Sequence, residues 1–102
     1  MSGPYRPGPV ERVLGHAEGL IRAGFWSPDG QGPHGVVCAL QAIGETERRL
    51  GYAVGEFPEA DYLLAGVVQG SVICFNGLPG QTPAGVADAF HRARLLAAER
   101  GL

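Results

Sequence analysis

Phe75-Asn76-Gly77-Leu78-Pro79-Gly80-Gln81-Thr82-Pro83, followed by an unbroken run to Arg100, is the stretch whose reading decides the fold. Thr82 suits a helix N-cap, because its hydroxyl accepts one of the orphan first-turn amides, and Pro83 suits the first helical position, where its missing N–H costs nothing. Val86, Ala89, Phe90, Ala93, Leu96 and Ala97 then recur at the spacing of one helix face. Asp88 and Arg92 stand four apart on the outer face as a predicted ion pair, and Gly101 ends the helix. Upstream, Asn76 lies in a polar turn, and Asn side chains hold such turns by bonding neighbouring backbone.

Outward from this segment the same logic predicts three more helices. The first runs from Pro9 to about Ala23, with Val10, Val13, Leu14, Ala17, Leu20 and Ile21 as its stripe and Gly24 as its stop. Residues 25–35 form a loop in which Pro28-Asp29-Gly30 is turn chemistry and Trp26 folds back onto the core. The second helix starts near Val36 and runs through Cys38, Leu40 and Ile43 to Leu50, with Glu45 placed to pair with Arg48 and Arg49. The third runs from Pro58 to about Val68, with Glu59 and Asp61 at the positive end of its dipole and Gly70 as its stop. For residues 67–75 a short β-hairpin around Gln69-Gly70 is the alternative. The expected fold is mainly α: a compact single-domain bundle of about four helices over residues 9–102, joined by long Gly/Pro-rich loops. Residues 1–8 form a flexible arm with nothing to bury.

Composition narrows the function classes. The chain has 102 residues, 45% of them apolar, and a net charge of −2, which fits one ordinary domain and argues against nucleic acid as a partner. All eight basic residues are Arg, the signature of a high-GC bacterial genome, and the absence of Lys closes off Schiff-base and P-loop chemistry. There is neither a signal-peptide core nor an apolar run of membrane-spanning length, so a cytoplasmic location without membrane contact is expected. In that compartment Cys38 and Cys74 are read as free thiols.

Gly15, Gly19 and Ala23 place a small residue every four positions on the first helix. Each Gly costs about 1 kcal/mol in a helix interior, so close packing there is expected, within the domain or across a homodimer.

The order of these features resembles an uncharacterised family, a domain of unknown function, of small proteins from high-GC bacteria and their phages. The matching residues are Trp26, Cys38-Ala39-Leu40, Phe75-Asn76, and Thr82 with Val86. Phe75 stands where that pattern has Trp, Gly77 where it has Asp, and Gly85 where it has an acidic residue. The resemblance implies a fold and no particular activity.

Two functional readings follow. In the first, the chain is a small binding or accessory module acting through protein–protein or small-ligand contact, with Tyr52, Phe57, Tyr62 and Leu63 as the partner surface. In the second, it is a small cofactor-independent enzyme with a pocket between loops 25–35 and 75–80. Cys38 would then be the nucleophile or acid, His34 a base and Asn76 an orienting or oxyanion group, with Trp26, Phe75 and Thr82 lining the pocket. Helix N-termini and an adjacent His activate thiols, which motivates the second reading, while a small residue in an apolar helix opening is the plainer account of Cys38. Neither reading involves a cofactor. No metal-ligand spacing occurs among His16, His34, His91, Cys38 and Cys74. Gly30-Gln31-Gly32-Pro33-His34-Gly35 matches Gly-x-Gly-x-x-Gly but lacks the preceding strand, and Pro33 removes an amide.

Overall fold

A computed structural model describes residues 5–28, 30 and 38–102. Among the described residues there are five helices, α1 (Pro9–Arg22), α2 (Ala39–Arg49), α3 (Pro58–Val68), α4 (Val72–Asn76) and α5 (Pro83–Glu99), and no strand. The mainly α single-domain bundle expected from the sequence is therefore present, with one short helix more.

Proline starts α1, α3 and α5, and Thr82 Oγ1 accepts the Gly85 N–H at 3.1 Å to cap the last. α1 and α5 form the most extensive helix–helix contact, and α2, α3 and α4 close around them. The core joins Val10, Val13, Leu14, Ala17 and Ile21 of α1 to Val86, Ala89, Phe90, Ala93 and Ala97 of α5, with Ile43, Leu63 and Leu64 packed alongside. Ala17, Ala89, Ala93 and Ala97 alternate in this seam with the larger Leu14, Ile21 and Phe90. The Leu102 carbonyl accepts the Val10 N–H at 2.8 Å and satisfies a first-turn donor of α1.

Gly15 also contributes to this seam. A Cβ built there would lie 3.0 Å from Arg94 Cδ, so the bare backbone lets the Arg94 stem cross α1. Arg94 thereby reaches Glu18, whose carboxylate also takes Arg22 Nε at 2.8 Å. Gly19 and Ala23 are exposed and a Cβ at Gly19 would meet nothing, so within the domain the close packing expected of the small-residue series is confined to Gly15.

Four expectations need adjustment. Residues 67–75 are not a hairpin: α3 continues to Val68, Gln69 turns left-handed at φ 59°, and Ser71 caps α4 by accepting the Cys74 N–H at 3.2 Å. Of the β-branched residues that suggested strands, Val72 is buried against the core, Val67 and Val68 are half-buried, and Ile73 is exposed. The left-handed stop falls on Gln69 rather than Gly70. Cys38 is the extended N-cap of α2, not a residue of its first turn, while the expected start at Val36 lies outside the described residues. Asp88 pairs with Arg22 of α1 at 3.1 Å, not with Arg92. The Glu45 pairs are as expected, and hydrogen bonds from Arg48 and Arg49 hold its carboxyl down at about 2.

A non-glycine residue in the left-handed region carries about 1 kcal/mol of backbone strain. Gln69→Gly is accordingly expected to raise unfolding stability by about 0.5–1 kcal/mol, read as a higher urea midpoint at unchanged slope.

Candidate functional site

Asn76 ends α4 with its side chain turned inward, 3% exposed. Its Oδ1 accepts the Trp26 indole N–H at 2.7 Å and the Ala39 backbone N–H at 2.9 Å. Its Nδ2 donates to the Pro28 carbonyl at 2.6 Å. One amide thus joins α4, the loop after α1 and the first turn of α2. The expected role, bonding backbone in its own turn, falls to Gln81: its Nε2 donates to the Phe75 carbonyl at 2.8 Å, and its Oε1 accepts the Thr82 N–H at 3.2 Å.

Of the proposed Cys38, His34 and Asn76 constellation, His34 lies outside the described residues. Cys38 is half-buried, its N–H donates to Gln41 Oε1 at 3.0 Å, and its neighbour Ala39 binds Asn76. Both oxygen lone pairs of Asn76 and one of its two amide hydrogens are engaged, so orienting a base through Oδ1 would require releasing a structural bond. Cys74 is an exposed free thiol. The three residues assigned to a ligand pocket separate. Trp26 and Phe75 are half-buried against the core, whereas exposed Thr82 lines a surface recess with Arg22, Pro83 and Ala84.

The four residues assigned to a partner surface also separate. Tyr52 and Phe57 stack edge to face at 4.7 Å, Phe57 lies against the core, and Leu63 is 6% exposed within it. Tyr62 is 74% exposed on the outer face of α3. Tyr52 and Phe57 belong to the α2–α3 connection, which is folded around Glu47. That carboxylate is 1% exposed and accepts the Gly55 N–H at 2.8 Å on Oε1 and the Phe57 N–H at 2.9 Å on Oε2. Two charge-assisted bonds offset its burial. Its sequence signal is weak: Glu47 stands four after Ile43 on the apolar face, a position that reads as a break in the stripe.

His91 and Arg94 meet across one turn of α5, with Arg94 Nη2 2.8 Å from His91 Nδ1, and both face Glu18. His16 is exposed at a cleft of about 80 Å³ shared with Leu20, Thr46, Arg49 and Leu50. The Thr46 hydroxyl beneath it is buried without a hydrogen-bond partner among the described residues. Among the described residues no group of His, Cys, Asp and Glu is placed to hold a metal ion, and no helix is long and apolar enough to cross a membrane.

No protein-family model, curated protein or solved structure matches the chain.

Asn76→Ala leaves the Trp26 and Ala39 donors and the Pro28 carbonyl without their shared partner, and is expected to cost about 3 kcal/mol in chemical denaturation. Trp26 emission should shift to the red in the native state. Trp26→Phe removes one donor only and should cost about 1 kcal/mol.

Proposed function

We propose that this chain is a small cytoplasmic binding module of a bacterial protein system, acting through protein–protein contact and carrying no chemistry of its own. The observation that supports this most directly is the engagement of Asn76. The side chain cast as the orienting or oxyanion group has both oxygen lone pairs and one amide hydrogen engaged in joining three parts of the fold. A side chain so constrained serves rigidity better than catalysis, and rigidity is what a recognition surface needs to limit the entropy lost on binding.

The second support is the outer face of α3. This helix is apolar on nearly its whole circumference, a pattern that belongs to a helix covered on all sides. Yet Tyr62 and Gly66 stand in solvent, with Ala65, Val67 and Val68 half-covered beside them. We assign that face to a partner, and membership of the small-protein family that the sequence resembles is part of the same proposal.

The enzyme reading makes a distinct demand on Cys38. Under the binding reading, the native protein with Cys74 changed to Ser should react with iodoacetamide no faster than a free cysteine across pH 6–9. A Cys38→Ser variant should keep its stability. Alkylation that outruns the free amino acid at low pH would overturn the binding reading in favour of an activated nucleophile.

A further inference from the structure

The charges of this chain are segregated. Between Leu50 and Phe90 there is no Lys, Arg or His, while Glu56, Glu59 and Asp61 fall within six residues around the start of α3. The arginines lie on the other helices and the flanking segments, and the ion pairs engage them there: Arg22 with Glu18 and Asp88, Arg48 and Arg49 with Glu45, Arg94 with Glu18. No ion pair reaches Glu56, Glu59 or Asp61 among the described residues.

These carboxylates border the exposed apolar face of α3. Glu59 and Tyr62 are three apart, and Gly66 follows Tyr62 by four, so the three share one side of the helix, all exposed. A Cβ at Gly66 would meet nothing, which leaves a shallow dip beside the Tyr62 ring. Partial burial, and secondarily the neighbouring Glu47 carboxylate, push the Asp61 carboxyl up from its usual value. An external cation would relieve that cost.

An acidic rim beside an aromatic anchor and an open dip is complementary to one kind of occupant. We propose that the outer face of α3 docks a basic amphipathic segment of a partner protein, its apolar side chains against Tyr62 and the Gly66 dip and its Arg or Lys groups toward Glu56, Glu59 and Asp61. The proposal rests on the binding-module reading and names the chemistry of the partner.

The test titrates the ¹⁵N-labelled full chain with a synthetic amphipathic helical peptide of Leu and Arg, and separately with its counterpart carrying Glu for Arg. The Leu/Arg peptide is expected to give saturable amide shifts confined to residues 56–69. Tyr62→Ala should weaken that binding by about tenfold. The pair Glu59→Gln and Asp61→Asn should weaken it by a similar factor and flatten its salt dependence, by about tenfold at low salt. Tyr62 is exposed, so its truncation leaves the fold intact, to be checked by unchanged circular dichroism. Equal binding of the Leu/Glu peptide at the same residues would overturn the charge assignment while leaving the face a docking surface. Self-association of the chain that Tyr62→Ala abolishes would assign the face to a second copy and overturn the basic partner. Shifts that map to α1 or α5 would overturn the site. Absence of both binding and self-association would remove the binding-module reading with it.

Discussion

The amide of Asn76 is the contact on which the arrangement around α4 depends. Three segments far apart in sequence, the Trp26–Pro28 loop, the start of α2 and the end of α4, pack Trp26, Ala39 and Phe75 on the common core. Their polar groups converge on one side chain with the right complement of two acceptor sites and a donor. Inside a low-dielectric environment such a network is stable only when every member is satisfied. Aspartate would present a carboxylate to the Pro28 carbonyl, and an aliphatic residue would leave an indole and an amide unpaired. The site therefore selects Asn on hydrogen-bond grounds alone.

A second polar device works in the same way. The Glu47 carboxylate lies in the core under the α2–α3 connection and takes two backbone donors from it. It fixes the entry into α3 and brings negative charge close to Asp61. Arg94, crossing α1 over Gly15 to reach Glu18, serves the α1–α5 seam. Polar groups thus set the joints of the bundle while small apolar residues set its spacing. Arg22 and Arg94 are drawn into the first of these tasks, and the stretch between Leu50 and Phe90 holds no Lys, Arg or His.

Much of the helical framework was legible in the sequence because its signals are local. Pro9, Pro58 and Thr82-Pro83 mark starts through backbone chemistry that needs no tertiary partner, and the apolar stripes of α1 and α5 follow from period alone. What periodicity did not show are the choices made by contact. Residues 67–75 carry β-branched side chains that suit a hairpin, and the burial of Val72 with the Ser71 cap decides for a helix. Asp88 has Arg92 on its own helix yet meets Arg22 on another. The same limit holds for the candidate site: Asn76 was recognisable as a structural residue, but its partners lie 37 to 50 positions away and no local spacing names them. Of the residues assigned to a partner surface, the pattern did not separate exposed Tyr62 from buried Leu63, because α3 is apolar on both sides.

The pairing of α1 with α5 sets the order of events during synthesis. α1 finds its main packing partner in α5, so its apolar stripe has no full cover until α5 has been made. At a translation rate of about 5–20 residues per second, the intervening chain takes several seconds to appear. A helix as short as α1 is marginal in isolation, so for that interval it is a fluctuating amphipathic segment rather than a folded element. Closing so long a loop is also the entropically demanding step of folding. The emerging chain is thus open to chaperones and to like chains on a neighbouring ribosome, and that exposure ends only when α5 has been made.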